Sequence, residues 1–130
     1  MQPRPPHVLI IDDNPINIEL ASFVLSSQSF QTSSAADADE ALQRIHQQRP
    51  DLILMDIQMP GTDGLSLTRL LKADPLLRGI VVVAFTAYAM KGDEARLRAA
   101  GCDGYLAKPI KVATFAADVL RLLRAGPAAA

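Results

Sequence analysis

Short apolar runs alternate with amphipathic segments along almost the whole of this 130-residue chain. The pattern predicts five strands and five helices in regular alternation. The predicted strands span 7–12, 30–34, 52–56, 80–85 and 104–107, and the predicted helices span 15–27, 36–47, 64–73, 91–100 and 112–124. Repeated strand–helix units are typical of a parallel sheet with helices on both faces. We therefore expect a single doubly wound α/β domain.

The helix predictions rest on apolar spacing and on residues that favour helix starts. One apolar face is predicted in the second helix and one in the fifth, formed respectively by Ala38, Ala41, Leu42 and Ile45 and by Val112, Phe115, Val119 and Leu122. Ser34 with Asp37 resembles a capping box. Asn14 before Pro15 is typical of an N-cap followed by the first helical residue.

The composition of the strands predicts their order in the sheet. The runs at 8–11, 52–55 and 80–85 are continuously apolar, as expected of central strands buried on both faces. "FQTSS" and "DGYLA" are more polar, which places the second and fifth strands at the edges. With right-handed crossovers this favours the flavodoxin-like order 2-1-3-4-5. Ligands of such sheets bind where the winding reverses, here between the first and third strands.

Oxygen-bearing or charged side chains stand where four of these strands end. Asp12 and Asp13 close the first strand, Asp56 the third, Thr86 the fourth and Lys108 the fifth. Because the carboxyl ends of parallel strands meet at one edge of the sheet, we expect these side chains to share one crevice. Two carboxylates about 4 Å apart repel by roughly 4 kcal/mol at an effective dielectric constant near 20. Either a bound proton or a divalent cation must offset this, and oxygen ligands suit Mg²⁺.

Each of these residues also has a structural interpretation when it is taken alone. Asp12 or Asp13 could assist the start of the first helix, and Thr86 could be a capping or turn residue. Lys108 could be a solvated surface charge. Asp56 has no comparable role, since the next predicted helix begins several residues later. Their joint occurrence at the strand ends favours the functional interpretation.

The composition of the chain argues against nucleic-acid binding and favours a cytoplasmic location. The net charge is −1, and no basic block is present, so we expect no direct nucleic-acid binding. Cys102 is the single cysteine, which excludes an internal disulfide and favours a reduced, cytoplasmic location. The first residues, "MQPRPPH", contain no apolar signal core, and no run is long enough to cross a membrane.

Four segments carry a family resemblance. "IIDDN", "LILMDIQMPGTDG", "VVAFTAYA" and "GYLAKP" resemble, in order and spacing, the marker segments of the receiver (CheY-like) domains of two-component response regulators. The resemblance covers residues 7–124 and implies a receiver domain there, with disordered tails at 1–6 and 125–130. "DDNPIN" and "TAYAMKGDEARLRAAGC" are most similar to single-domain regulators of the bacterial cell-cycle type and to receivers of hybrid histidine kinases. Met1 and the lack of a linker favour a stand-alone regulator.

The resemblance implies that Asp56 is the phosphoacceptor. It also implies a Mg²⁺ site formed by Asp12, Asp13, Asp56 and the main-chain carbonyl of Gln58. Such a site would neutralise charge on a transferring phosphoryl group, which is the main requirement of phosphoryl transfer to a carboxylate.

The resemblance assigns further roles at the fourth and fifth strands. Thr86 and Lys108 would contact the phosphoryl group, which is the chemistry expected of a hydroxyl and an ammonium fixed at that position. Thr86 and Tyr105 would form the switch, with Tyr105 as its aromatic member. The peptide bond between Lys108 and Pro109 would be cis.

The phosphoryl donor and the target must be other molecules. His7 and His46 occur without a nucleotide-binding glycine loop, so we expect no autonomous kinase activity. A histidine kinase, a histidine phosphotransfer protein or a small acyl phosphate would supply the group. The chain would assist its own phosphorylation and autodephosphorylation without being an enzyme in the usual sense. As a monomer or weak homodimer, it would bind a downstream protein through the fourth helix, fifth strand and fifth helix.

Three other classes of protein share part of this pattern. A Mg²⁺-dependent phosphatase with an aspartyl nucleophile resembles the pattern, but that family has a second Asp where this chain has Gln58. A flavodoxin-like or dinucleotide-binding protein needs phosphate-binding glycines or hydroxyls after the first strand, where "DDNPIN" would repel a phosphate. An interaction module that no longer accepts phosphate would be expected to lack a marker residue, and every marker is present.

Overall fold

A five-stranded parallel sheet flanked by helices forms the protein. The computed structural model describes residues 5–59, 62–86 and 91–127. The strands of this sheet are β1 (His7–Ile11), β2 (Gln31–Ala35), β3 (Leu52–Asp56), β4 (Val81–Thr86) and β5 (Gly104–Ala107). The helices of the described residues are α1 (Pro15–Ser27), α2 (Ala38–Gln47), α3 (Gly64–Ala73), α4 (Lys91–Ala100) and α5 (Phe115–Ala125). Between β3 and α3, Gln58–Met59 and Thr62–Asp63 pair as a short antiparallel ladder that was not predicted.

The strand order is β2-β1-β3-β4-β5, as predicted. All neighbouring strands run parallel, and their register brings the carboxyl ends close to one level. Ile11 pairs with Met55, and Asp56 pairs with Phe85. Residues that follow β1 therefore lie beside the last residue of β3, at the point where the winding reverses.

Burial follows the predicted division into central and edge strands. Every residue of β1, β3 and β4 is buried, whereas most residues of β2 and β5 are partly exposed. Apolar residues cover both faces of the central strands, because helices pack on both sides. The sheet thus separates two cores, one formed with α1 and α5 and the other with α2, α3 and α4.

The start of α1 is confirmed, and the predicted start of α2 is wrong. Asn14 caps α1 by accepting a hydrogen bond from the amide of Ile16, and Pro15 is the first helical residue. Helix α2 begins at Ala38 instead of residue 36, and its N-cap is Asp37, which accepts from the amide of Glu40 at 2.8 Å. Ser34 lies within β2 and takes no part in a capping box.

The predicted start of α5 is also wrong, by three residues. Residues 111–114 form a turn in which the amides of Thr114 and Phe115 donate to the carbonyl of Lys111, and α5 begins at Phe115. Val112, which the periodicity placed on the buried face, is 61% exposed. The turn keeps a helix-like spacing, so the sequence pattern does not distinguish it from a first helical turn.

The two predicted tails lie mostly outside the described residues, at 1–4 and 128–130. Pro6 accepts a hydrogen bond from the amide of Gln31, and α5 extends to Ala125. No helix in the described part of the chain is long and apolar enough to span a bilayer.

Candidate functional site: an acidic pocket at the strand ends

Three carboxylates meet where β1 and β3 end. One oxygen each of Asp12, Asp13 and Asp56 lies within 4.8 Å of the others. Asp12 is completely buried and Asp56 is 4% exposed, whereas Asp13 is exposed. The pocket therefore has two buried carboxylates as its floor and one exposed carboxylate at its rim.

The backbone around Asp12 fixes its carboxylate. Its amide donates to the carbonyl of Ala35 in β2 at 3.1 Å, and its Oδ1 accepts from the amide of Asn14 at 2.9 Å. Asn14 in turn caps α1. Asp12 thus orders the turn before α1, as its structural interpretation predicts, and its second oxygen, Oδ2, lies 2.9 Å from Nζ of Lys108.

Lys108 provides the positive charge of the pocket. Its Nζ lies 2.9 Å from Oδ2 of Asp12 and 3.5 Å from Oδ2 of Asp56, and its side chain is 16% exposed. The ammonium also lies 5.1 Å from the centroid of the Phe85 ring, within the range of a cation–π contact. The backbone amide of Lys108 donates to the carbonyl of Thr86, and its peptide bond to Pro109 is cis.

The charges and donor atoms of the pocket fit a divalent cation. Three carboxylates and one ammonium sum to a formal charge of −2. Oδ2 of Asp12 is buried and makes no hydrogen bond within the described part of the chain, although the ammonium of Lys108 is 2.9 Å away. That contact is an ion pair without hydrogen-bond alignment. A buried carboxylate oxygen left without a hydrogen bond, in a cluster of oxygen donors, is suited to a hard cation such as Mg²⁺.

Thr86 and Tyr105 lie on the next two strands. Thr86 is the buried last residue of β4 and pairs with Ala107 of β5. Tyr105 pairs with Ala84, two residues before Thr86, and is 37% exposed. Gln58 follows Asp56 by two residues in the short ladder, and its side chain lies outside the described part of the structure.

Gly64 shapes the pocket and was not singled out from the sequence. A Cβ at this first residue of α3 would lie 2.5 Å from the carbonyl oxygen of Asp56 and 3.0 Å from Cα of Ile57. Only glycine allows α3 to start against the backbone of Asp56 without displacing it. A glycine at a predicted helix start, eight residues after Asp56, was the available signal.

The region of this chain that is similar to known proteins includes every residue of this site. The family described as "Response regulator receiver domain" matches residues 8–120. The chain is 46% identical over 111 residues to the polar-differentiation response regulator DivK of Brucella anthropi, an alignment that covers 85% of this chain and 90% of that protein.

Solved structures share the fold. The signal receiver domain of a signal transduction histidine kinase from Syntrophus aciditrophicus is 35% identical, with a TM-score of 0.81 over 92% of this chain and 91% of that one. The receiver domain of NtrX from Brucella abortus is 27% identical, with a TM-score of 0.81 over 90% of this chain and 98% of that one.

Proposed function

Because the chain belongs to the family of response regulator receiver domains, whose general function is to accept a phosphoryl group on an aspartate in phosphorelay signalling, we propose that Asp56 is the phosphoacceptor here. One observation carries the proposal: Asp56 is the buried last residue of a central strand, and its carboxylate takes part both in the acidic cluster and in the contact with Lys108.

The proposed cofactor is Mg²⁺. The side chains of Asp12, Asp13 and Asp56 and the carbonyl of Gln58 would hold it, and when bound it would neutralise negative charge on the transferring phosphoryl group. The −2 formal charge of the described pocket and the buried Oδ2 of Asp12 support this assignment.

The side chains of the pocket perform the transfer. An oxygen of Asp56 attacks phosphorus while the bond from phosphorus to the donor's imidazole nitrogen, or to the oxygen of an acyl phosphate, breaks. The Lys108 ammonium and the Thr86 hydroxyl stabilise the phosphoryl oxygens. Attack of water on phosphorus breaks its bond to the Asp56 oxygen, releases inorganic phosphate and restores the carboxylate, so the same pocket would support autodephosphorylation.

Acetyl phosphate with Mg²⁺, followed by intact-mass measurement, tests this function without a protein donor. Wild-type protein should gain one phosphoryl group, and Asp56→Asn should gain none while keeping its circular dichroism spectrum. Asp39→Asn, an exposed carboxylate on α2, is the matched control and should be labelled like the wild type. Labelling of Asp56→Asn at the wild-type level would move the acceptor to another residue.

The proposed donor is a phosphohistidine protein that docks on α1. Ile16, Leu20 and Phe23, at i, i+4 and i+7, are 73%, 38% and 73% exposed and form one apolar stripe. A cleft of about 340 Å³ runs along them. The stripe begins two residues after Asn14, whose amide Asp12 holds, so a protein covering it borders the acidic pocket. An exposed stripe this small suits a transient complex better than a permanent one.

The α1 stripe is tested by comparing two phosphoryl donors. Phe23→Ser should slow transfer from a phosphorylated histidine phosphotransfer protein by about tenfold, roughly 1.4 kcal/mol, and leave labelling by acetyl phosphate unchanged. Leu76→Ser is the matched control, since Leu76 is 80% exposed but belongs to the segment between α3 and β4. Equal transfer rates in wild type and Phe23→Ser would exclude this docking surface.

We propose a receiver domain over 7–124 with tails on either side, and a downstream protein that binds the face of α4, β5 and α5. The single cysteine, which is buried and free, supports a reduced cytoplasmic location.

A further inference from the structure

A second charged cluster lies where β4 and β5 begin, at the opposite end of the parallel strands from the acidic pocket. Nζ of Lys72, near the end of α3, is 2.7 Å from Oδ2 of Asp103, which directly precedes β5. Their side chains are 14% and 2% exposed. An ion pair buried to this extent is strongly destabilised when one partner is removed, because the other charge remains in a poorly solvated place.

The pair joins three elements. Lys72 also donates to the carbonyls of Ile80, at 2.8 Å, and Arg78, at 3.0 Å, in the segment that leads into β4. Oδ2 of Asp103 accepts from the amide of Val82 at 2.8 Å, and the amide of Asp103 donates to the carbonyl of Val82 at 2.7 Å. The end of α3 and the starts of β4 and β5 are thereby held together. We call the Lys72–Asp103 pair and these hydrogen bonds the clamp.

The carboxyl end of α4 is attached to the clamp. Gly101 has a φ of 107°, and a Cβ there would lie 2.9 Å from Cγ of Lys72. The amide of Cys102 donates to the carbonyl of Leu97, and both side chains are buried. The Cys102 thiol interacts with Thr68 of α3, and burial raises the pKa of this thiol, so it stays neutral and protected.

The sequence gives the amino half of α4 little apolar surface for packing. Its sequence, "KGDEA", contains no large apolar side chain, and Leu97 is the large aliphatic residue of the helix. A helix of this length spans about 15 Å, which is the distance between its amino end and the anchor at its carboxyl end. Segment 87–90, between Thr86 and α4, connects that other end to the strand that ends in the pocket.

Helix α3 connects the pocket with the clamp. Gly64, its first residue, packs against the backbone of Asp56, and Thr68 and Lys72 follow one and two turns later. Thr68 also donates to the carbonyl of Gly64 at 2.8 Å. Helix α3 therefore packs against the backbone of Asp56 at its amino end and carries Lys72 of the clamp near its carboxyl end.

We propose that the clamp is a fixed pivot for α4, so that phosphorylation shifts this helix at its amino end and leaves Gly101–Asp103 in place. The proposal rests on the proposed phosphorylation of Asp56. It assigns Lys72 and Asp103 a positioning role in the switch, in addition to their contribution to stability.

The single cysteine serves as a probe of the pivot in the wild-type chain. Cys102 is 3% exposed, so its reaction rate with a thiol reagent reports opening at the carboxyl end of α4. With Mg²⁺ and beryllofluoride, which mimics the phosphoryl group, amide exchange in 86–96 should change, while the labelling rate of Cys102 should stay within twofold. Acceleration of Cys102 labelling in step with exchange at 86–96 would overturn the pivot.

Variants test the clamp in the absence of any phosphoryl mimic. Lys72→Met should accelerate Cys102 labelling by about tenfold or more, whereas Arg69→Met, at an exposed cation of the same helix, should not. Asp103→Asn, which keeps an oxygen for the amide of Val82, is the milder variant if Lys72→Met fails to fold. An unchanged labelling rate in a folded clamp variant would overturn the proposal.

The two proposals fail in different ways. If neither acetyl phosphate nor beryllofluoride has any effect, the proposed function is excluded, and the pivot proposal, which rests on it, is excluded with it. If both act but Cys102 becomes reactive on activation, phosphorylation stands and the pivot alone is excluded.

Discussion

At the scale of single residues, Lys108 neutralises part of the negative charge of the acidic pocket. Its ammonium contacts two buried carboxylates, yet one positive charge cannot neutralise three negative ones. A divalent cation in the proposed site would relieve the remaining repulsion between the carboxylates. Mg²⁺ should therefore stabilise the folded state, by an amount that grows with its concentration.

The first residue-scale prediction separates side-chain ligands from a main-chain ligand. Asp13→Ala should weaken Mg²⁺ binding by at least about tenfold, or ~1.4 kcal/mol, because it removes a carboxylate from the cluster. Gln58→Ala should change the dissociation constant far less, since its proposed ligand is the backbone carbonyl. Titration calorimetry measures both, and equal weakening by the two substitutions would contradict the assignment.

The second residue-scale prediction concerns Gly64. Gly64→Ala should lower the free energy of unfolding by about 1–3 kcal/mol, because the new methyl group would lie 2.5 Å from the carbonyl oxygen of Asp56. It should also slow labelling by acetyl phosphate, since the backbone of the acceptor must shift. Urea unfolding and intact-mass kinetics measure the two effects.

Gly79→Ala is the matched control for that substitution. A Cβ at Gly79 would meet the guanidinium end of Arg49 at 3.1 Å, and a flexible side chain can move away. We expect a change in stability within about 0.5 kcal/mol and unchanged labelling. If both glycine variants behaved alike, close packing of α3 on Asp56 would not be the cause.

At the scale of elements, the positions of the apolar runs and the polarity of each strand were sufficient to predict the strand order of the sheet. The continuous apolar runs of β1, β3 and β4 indicated central strands, and the polar β2 and β5 indicated edges, as observed. The predicted limits of α1, α3 and α4 agree with the structure residue by residue. These limits were predictable because a cap, a proline or a sharp change from apolar to polar residues marks them locally.

The boundaries that were wrong depend on competing local interactions. Ser34 and Asp37 both resemble caps, but pairing with β1 keeps Ser34 in a strand, which leaves Asp37 to start α2. The turn at 111–114 imitates the period of α5. The residues of the pocket were predictable because strand ends converge, whereas the contact of Gly64 and the Lys72–Asp103 pair depend on how α3 packs, which one-dimensional spacing does not encode.

At the scale of the whole molecule, one strand, β4, separates the strand that ends in the proposed phosphoacceptor from the strand of the proposed output face. Asp56 ends β3, Thr86 ends the neighbouring β4, and Tyr105 lies on β5 beside Ala84. A phosphoryl group adds charge and acceptor oxygens at Asp56, and these can draw the buried Thr86 hydroxyl towards the pocket by a charge-assisted hydrogen bond. Space vacated at Thr86 is then available to the half-exposed ring of Tyr105.

Hydrogen exchange with and without beryllofluoride tests whether a change at Asp56 is transmitted towards Thr86 on β4 and Tyr105 on β5. We expect the changes to concentrate in 86–108, and within that range in 86–96 and 104–108, because the clamp holds the residues between them. Helices α1 and α2 pack on β1 and β2, which are separated from β4 by β3, so their exchange should stay nearly constant. Changes confined to α1 and α2 would place the output face at the β1–β2 end of the sheet instead of the β4–β5 end. A receiver domain that signals through a difference in affinity between its two states must present a different surface in each, so we expect the downstream protein to bind at the segment whose protection changes.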